Sequence, residues 1–165
     1  MSSDIRLKIQ IISDVKCLPS RSNPTDSGLD LRAFRFEKIY AGDSPFKIDS
    51  SIDEISLQPG YRALINTGIK ATVGPGYEIQ IRPRSGLAIK QGLTVLNSPG
   101  TVDCDFRGDL CVILINTSKT PQKIKKYDRI AQMVVCPVVL CDVDVVDSLP
   151  ETARGDGGFG STGTR

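Results

Sequence analysis

Residues 154–165 combine several glycines with side chains that can bind phosphate and a nucleobase. Arg154 carries a forked donor that suits phosphate, and the Ser161 and Thr162 hydroxyls and the glycine N–H groups can donate to further phosphate oxygens. Phe159 offers a face on which a base can stack. Because glycine loses the most backbone entropy on ordering, this segment is not expected to hold one shape alone. We predict an arm that orders over a phosphorylated, base-bearing ligand, and the alternative is a frayed terminus.

A second candidate site is a turn with two carboxylates within residues 97–108. Ser98-Pro99-Gly100 predicts a tight bend, after which the chain is expected to return as a strand through Cys111. The open end of such a hairpin exposes unpaired backbone groups that can read the edge of a base. Asp103 or Asp105 can take a proton from water, a step that contributes roughly 10²–10⁴ in rate. The alternative is that both acids only solvate a loop.

A third candidate site lies where a strand is predicted to end at Pro83 and a short helix to begin. The helix is expected over residues 85–90, with Ser85 as its N-cap. The first turn of a helix offers free N–H groups and a partial positive charge to an anion. Arg84 adds charge, and Ser85 and Gly86 lie in that first turn. The alternative is a capped helix beside a solvated arginine.

Polar side chains on two further strands complete the candidates. Asp30 lies between two leucines, so a strand places its carboxylate on the face opposite both of them. It is either a functional carboxylate or an exposed or ion-paired strand residue. Gln132 alternates with an alanine and can point into a cleft. Asp128 and Arg129, at the entry to the same strand, are read most simply as ion-pair residues.

Alternating polarity and closely spaced turn signals predict that the elements positioning these residues are strands. The predicted strands are residues 5–11, 77–82, 110–115 and 133–139. Residues 40–57 are predicted to be a surface loop with a strand at 52–57. Short strands with frequent turns are typical of an all-β sandwich or barrel, here with one short helix.

The composition limits the possible functions. The 165 residues fit one domain, and we place a β-domain over residues 1–147 and a flexible arm over 148–165. Lys and Arg total 21 against 19 acidic residues, and a net charge of +2 argues against broad nucleic-acid binding. No stretch is long and apolar enough to span a membrane.

Histidine is absent, which excludes Ser-His-Asp and Cys-His catalysis and any His-ligated metal. The cysteines number five, without a CxxC pair or a secretory signal, and they predict reduced thiols in a cytoplasmic protein.

Five segments, in this order, resemble the five motifs of the trimeric deoxyuridine triphosphatases, or dUTPases. They are SGLDLRA (27–33), PRSGLA (83–88), NSPGTVDCDFRG (97–108), YDRIAQ (127–132) and RGDGGFGSTG (154–163). The family has a jelly-roll-like β-barrel of the β-clip type, in agreement with the predicted strands. The resemblance implies Mg²⁺-assisted hydrolysis of dUTP to dUMP and pyrophosphate by attack of water on the α-phosphate. This reaction keeps uracil out of DNA and supplies dUMP for dTTP synthesis.

The resemblance also implies roles for individual residues. Asp103 matches the general base, and Asn97 with main-chain groups matches the uracil-reading element. Phe106 lies where the family usually has tyrosine against the deoxyribose, and it keeps the packing surface without the hydroxyl. Asp30 matches a carboxylate that holds waters on substrate-bound Mg²⁺. The implied substrate-binding residues are Arg84, Ser85, Gly86, Asn97, Gly100, Thr101, Val102, Asp103, Phe106, Cys111, Gln132, Arg154, Phe159, Gly160, Ser161 and Thr162.

The family's assembly implies a homotrimer with active sites shared between subunits. Motifs one, two and four come from one chain, motif three from a second and the arm from a third. The implied partners are the dUTP substrate and further copies of the chain, with no nucleic acid and no membrane.

Two other functions are considered. The related dCTP deaminases need a glutamate on the return strand, five residues after the glycine that ends motif three, and this chain has Ile113 there. A nucleotide-sensing module without turnover would be favoured by loss of Asp103 or of the arm, and both are present. The enzyme is therefore the preferred interpretation.

Overall fold

Short antiparallel strands build most of the fold, and the computed structural model describes residues 5–158. The strands are β1 Lys8–Ile11, β2 Leu29–Arg32, β3 Arg35–Ala41, β4 Ser44–Lys47, β5 Glu54–Leu57, β6 Arg62–Asn66, β7 Ile69–Thr72, β8 Tyr77–Arg82, β9 Leu93–Val95, β10 Gly100–Val102, β11 Cys111–Asn116, β12 Gln122–Lys125 and β13 Arg129–Pro137. One 3₁₀ turn, Val15–Cys17, and one α-helix, α1 Ser85–Gln91, are the helical elements of the described residues. The prediction of an all-β fold with one short helix is confirmed.

Two larger sheets enclose the core. One has the strand order β10-β8-β13-β2 and the other β4-β3-β6-β11-β9, while β1 pairs with β7 and β12 with β5. Alternate residues of both larger sheets are buried in one continuous apolar cluster, which includes Leu31, Ile79, Met133, Ile65 and Leu114. The described strands form separate sheets, so the predicted barrel is not closed by hydrogen bonds within this chain.

Three local predictions differ from the structure in whole or in part. The strand expected from residue 5 begins only at Lys8, and Ile5 and Ile11 are exposed because a two-stranded sheet covers little surface. The strand predicted at 52–57 is confirmed as β5, but residues 40–57 are not otherwise a loop, because β3 and β4 pair across a turn at Gly42. Ser85 is the first residue of α1, and the N-cap is Arg84, whose side chain makes no capping bond.

The hairpin predicted around residues 97–111, with a return strand through Cys111, is not found. β11 pairs with β9, and β10, in the long connection between them, pairs instead with β8. The Pro-Gly bend therefore carries the chain from one large sheet to the other. Local turn signals do not identify the partner of a three-residue strand.

The segment after β13 is exposed. Residues 138–158 contain no strand, and Val139 and Val145 are 91% and 96% exposed. The boundary between domain and arm at residue 148 stays a prediction. No helix in the described part of the chain is long and apolar enough to cross a membrane.

Tyr127 fixes the turn that leads into β13. Its φ of 70° lies in the left-handed region that favours glycine, where a side chain costs about 1–2 kcal/mol. Its N–H donates to the Ala33 carbonyl at 2.6 Å, and its hydroxyl donates to Asp14 Oδ2 at 3.0 Å. The ammonium groups of Lys16 and Lys126 lie 5.2 and 5.6 Å from the ring centroid. These contacts tie the turn to the N-terminal segment and hold the strained conformation.

The bond between Tyr127 and Asp14 is expected to stabilise the fold over a defined pH range. A backbone N–H of Lys16 and the Tyr127 hydroxyl lower the pKa of Asp14, and the bond to Asp14 raises the pKa of Tyr127. The contribution is therefore full between the ordinary pKa values of 3.8 and 10.0. It is lost as pH falls through the lowered pKa of Asp14 or rises through the raised pKa of Tyr127.

We predict that Tyr127→Phe lowers the melting temperature at pH 7 and that the difference from wild type narrows at both pH extremes. The measurement is thermal unfolding as a function of pH. Tyr61→Phe is the matched control, because the Tyr61 hydroxyl makes no hydrogen bond to any described residue. An equal effect of both substitutions at every pH would contradict the assignment.

Candidate active site

One carboxylate joins three elements of the fold. Asp30, on β2, has a side chain only 13% exposed, and its Oδ1 lies 2.8 Å from Arg84 Nε. Its Oδ2 lies 3.1 Å from Arg129 Nη1, at the start of β13. Arg84 Nη1 also donates to the Arg129 carbonyl at 3.3 Å. The triad of Asp30, Arg84 and Arg129 therefore links β2, the turn before α1 and β13.

A pocket of about 350 Å³ opens beside this triad. Most of its wall is polar, which suits an anionic ligand more than an apolar one. It is lined by Ser22, Asp26, Ser27, Gly28, Asp30, Arg84, Ser85, Gly86 and Gln132. The structure thus brings together the residues that the sequence analysis selected from the first, second and fourth motifs.

The turn between β8 and α1 presents Arg84, Ser85 and Gly86 to the pocket. Arg84 is extended, with φ −95° and ψ 126°, and the helix begins at the next residue. Ser85 and Gly86 are exposed in the first helical turn, whose N–H groups have no acceptors within the helix. These groups can donate hydrogen bonds to phosphate oxygens.

Gln132 reaches the same pocket from the middle of the sheet. It lies opposite Asp30 on β2 and opposite Arg82 on β8, because β13 pairs with both strands. Its Nε2 donates to the Pro83 carbonyl at 2.9 Å. The side chain is half-buried and lines the cavity, with its amide oxygen beside Gly28 in the pocket wall.

The residues of motif three lie elsewhere in the same chain. β10 occupies the edge of the sheet opposite β2, with β8 and β13 between them. At the usual strand spacing this separation is about 14 Å. Gly100 pairs with Ile81 and Val102 with Ile79, so Asp103 follows in the direction away from Arg84. Asn97, Thr101 and Asp103 are exposed.

Arg107 fixes the turn that carries Asp103 and Phe106. The Phe106 N–H donates to the Asp103 carbonyl at 3.1 Å, and Arg107 Nη1 donates to the Cys104 and Phe106 carbonyls, both at 2.8 Å. Thr72 on β7 also donates to Cys104 O at 2.8 Å. Arg107 was not among the predicted site residues, and its position between Phe106 and a glycine within the motif is the one sequence signal that marks it.

The Phe106 ring folds back over Gly108. A Cβ at position 108 would lie 2.6 Å from Phe106 Cζ, so only glycine leaves room for the ring in this position. The ring is 43% exposed. Its outer face is available for packing against a ligand.

Cys111, on β11, is half-buried and chemically quiet. Burial, and then the charges of Glu37 and Asp109, raise the pKa of its thiol to about 11. A neutral thiol is a poor nucleophile. The backbone groups of Leu110 bond to Thr67 and Ile69, and the Ile113 carbonyl accepts from Leu96 on the other side of β11. Because backbone groups alternate in direction along a strand, those of Cys111 face the same side as Ile113, beyond the end of β9. These backbone groups are therefore better suited to hydrogen bonding with a ligand than the thiol is to a nucleophilic role.

The carboxylates here fit a cation that arrives with the ligand. No group of three metal-ligating side chains occurs within residues 5–158. The pocket wall has only two carboxylates: Asp30 is paired with arginines and Asp26 accepts hydrogen bonds from Asn23. A cation that keeps much of its water and bridges phosphates needs little more from the protein than one such carboxylate.

The arm is described only in part. Arg154 is exposed and donates from Nε to the Gly157 carbonyl at 2.7 Å. It does not line the pocket of its own chain. Phe159, Gly160, Ser161 and Thr162 lie outside the described residues.

The comparisons with known proteins agree with the motifs. The dUTPase family model matches residues 35–163. The chain is 43% identical over 159 residues to a deoxyuridine 5'-triphosphate nucleotidohydrolase of Nautilia profundicola, covering 96% of this chain and 99% of that protein. It is 51% identical over 148 residues to the protein of that name from Chlamydia pneumoniae, covering 88% and 90%.

Solved structures share the fold. A variant dUTPase of Staphylococcus bacteriophage 80alpha with dUpNHpp superposes with a TM-score of 0.75 at 22% identity, covering 96% of this chain and 98% of that one. A variant dUTPase from phage phi11 of S. aureus, described with a structural Mg(II) ion, gives 0.69 at 19% identity, covering 88% and 99%. The jelly-roll-like fold of these neighbours is the fold of this chain.

We predict that Arg129→Gln lowers the free energy of unfolding by less than about 1 kcal/mol and that Arg84→Gln lowers it more. The Arg129 side chain is 45% exposed and the Arg84 side chain is 25% exposed. Solvent screening therefore weakens the pair of Arg129 with Asp30 more than the pair of Arg84 with Asp30. The measurement is urea unfolding at low and high salt. Each effect should shrink in an Asp30→Asn background, and equal losses in both backgrounds would show that the arginines act independently of Asp30.

Proposed function

This chain belongs to the dUTPase family, and on that premise we propose that its active site joins the pocket beside Asp30 in one subunit to the Asp103 turn of another. The enzyme is a dUTP diphosphatase, which hydrolyses dUTP to dUMP and pyrophosphate. The observation that carries the proposed site is the pocket itself, which collects Asp30, Arg84, Ser85 and Gln132 from separate motifs.

The triphosphate binds at the turn before α1. The Arg84 guanidinium, the Ser85 hydroxyl and the Gly86 N–H donate to phosphate oxygens, and the Gln132 amide contacts the same region. Arg84 is held by Asp30 at 2.8 Å, so its orientation is set before the substrate arrives. A fixed donor loses less conformational entropy on binding than a free side chain.

Asp103 acts as the general base. Its carboxylate takes a proton from the water whose oxygen attacks the α-phosphorus. As that P–O bond forms, the bond from the α-phosphorus to the bridging oxygen breaks, and pyrophosphate leaves with the electron pair. The chain has no histidine, so a carboxylate is a reasonable group for this proton transfer near neutral pH.

The nucleoside is recognised by motif three. Asn97 and the main chain of Gly100, Thr101, Val102 and Cys111 pair with the uracil edge, where cytosine would present the wrong donor pattern. Phe106 packs against the deoxyribose. The position of the ring over Gly108 supports this role. Phenylalanine has no hydroxyl group that could form a hydrogen bond, so packing alone orients its ring.

The residues that would act with Mg²⁺ are few. Asp30 would hold waters of a Mg²⁺ ion that the triphosphate brings. When bound, the ion supplies charge neutralisation of the phosphates and their orientation for in-line attack. The rest of the orientation comes from Arg84, Ser85 and Gln132.

The active form is a homotrimer with shared sites. Two observations support this: motif three is at the far edge of the sheet from the pocket of its own chain, and the segment after β13 leaves apolar side chains uncovered. The exposed residues are Val139, Leu140, Val143, Val145 and Leu149. Their burial between subunits would contribute about 25 cal/mol per Å² of apolar surface.

The arm over residues 148–165 closes over the bound nucleotide. Arg154, Ser161, Thr162 and the Gly160 N–H contact the outer phosphates, and Phe159 stacks on uracil. Closure excludes water other than the reacting molecule. The five free thiols are in keeping with a cytoplasmic location, where thiols stay reduced.

We predict that Asp103→Asn lowers kcat for dUTP by at least about 10²-fold, because the amide cannot accept the proton from water. The affinity for a non-hydrolysable dUTP analogue and the melting temperature should stay close to wild type. The measurement is pyrophosphate release with Mg²⁺, with dCTP, dTTP and UTP in parallel. Asp105→Asn is the matched control on the same turn and should keep most activity, and an active Asp103→Asn enzyme would refute the assignment.

We predict that removal of residues 154–165 lowers kcat/KM for dUTP by more than about tenfold, since loss of base stacking alone is worth roughly 1–3 kcal/mol. Light scattering should show the same assembly as the full chain, because the apolar segment over 139–149 is kept. Phe159→Ala should reproduce part of the loss. Normal turnover by the truncated protein would remove the arm from the mechanism.

A further inference from the structure

Gly28 lies directly against the side chain of Gln132. It precedes β2 and is part of the pocket wall. A Cβ at position 28 would lie 2.1 Å from Gln132 Oε1, 3.0 Å from its Cδ and 3.3 Å from its Cβ. The contact therefore involves both the base and the amide end of the Gln132 side chain. An added methyl group would therefore occupy the space that the amide now fills.

Backbone conformation is not what requires glycine at this position. The glycines with positive φ among the described residues are Gly42, Gly60, Gly68, Gly76, Gly92 and Gly155. Gly28 is not among them, so its φ lies outside the region that favours glycine. What restricts position 28 is the neighbouring side chain.

The amide of Gln132 is held on two sides. Its Nε2 donates to the Pro83 carbonyl at 2.9 Å, and its Oε1 lies against the open face of Gly28. Pro83 directly precedes Arg84 and the turn before α1. A methyl group at position 28 would require the far end of Gln132 to shift, because Oε1 is the nearest atom. We expect this shift to disturb the bond from Nε2 to the Pro83 carbonyl, since both atoms belong to one planar amide.

This crowding is specific to Gly28 within the pocket. Gly86 lines the same cavity, yet a Cβ at position 86 meets no described atom within 4 Å. Gly74 is equally open and lies on another surface.

We propose that Gly28 is a positioning residue that acts through Gln132. By carrying no side chain, it lets the Gln132 amide dock on Pro83 and face the phosphate groups of dUTP. The inference rests on the proposed function, because the contact between Gln132 and phosphate belongs to it. Gly28 itself donates nothing to the substrate in this role.

The test is a double-mutant cycle on the full-length enzyme, with Gly28→Ala, Gln132→Ala and both together. Gly28→Ala alone should lower kcat/KM for dUTP by roughly 10–100-fold, as expected for a displaced contact group. This loss should be distributed between kcat and KM in the same proportion as the loss caused by Gln132→Ala. The double variant should equal Gln132→Ala, because without the amide the methyl group has nothing to displace.

Thermal unfolding supplies a readout that does not depend on turnover. Gly28→Ala should lower the melting temperature, and adding Gln132→Ala should restore part of the loss by removing the clash. This recovery is expected even where Gly28→Ala alone folds poorly. Gly74→Ala is the control, since it changes glycine to alanine where no described atom is crowded, and it should leave kcat/KM unchanged.

Two results would overturn the inference. One is a Gly28→Ala enzyme with wild-type kinetics, and the other is a double variant whose loss is the product of the two single losses, with no recovery of melting temperature. If Gln132→Ala itself keeps wild-type kinetics, the inference falls together with the proposed phosphate contact. If the wild-type protein releases no pyrophosphate from dUTP, the proposed function fails, and that result is visible before any variant is made.

Discussion

The pocket depends on the pairing of one half-buried carboxylate with two arginines. A carboxylate this far from water is costly unless it is paired, and Asp30 has an arginine on each oxygen. The partners come from the turn before α1 and from the first residue of β13. The pairs therefore link three segments that are distant in the sequence and that the pairing of β13 with β2 and β8 brings together. Arg84 contacts Asp30 through Nε, so the pair orients the guanidinium as well as neutralising the acid.

The register of β13 determines the direction in which the Gln132 side chain points. Gln132 faces the pocket while Met133 is buried in the core, so a slip by one residue would exchange them. The pairing with β2 is irregular between Arg129 and Ala131. Ile130 and Ala131 are consecutively buried, so the irregularity lets Arg129 reach Asp30 without moving Gln132 out of register.

Sequence patterns were reliable where the determining contacts are local. Alternation placed Asp30 opposite its two leucines, and α1 was found from the break after Pro83. The partner of β10 and the bonds of Arg107 were not predictable in this way, because both depend on pairing between segments far apart in the chain. Gly28 shows the same limit. The motif marks the glycine, but only the folded chain shows that a side chain of β13, more than a hundred residues away, fills the space beside it.

The exposed segment after β13 bears on how readily the chain aggregates. Its valines and leucines lie outside the apolar core cluster of the described residues. They form an exposed, valine-rich apolar stretch of the kind that promotes aggregation. Asp142, Asp144 and Asp147 interrupt it at short intervals. Such charges act as gatekeepers, since stacking identical copies would bring like charges together. The spacing of these aspartates therefore opposes regular stacking of this segment between copies of the chain.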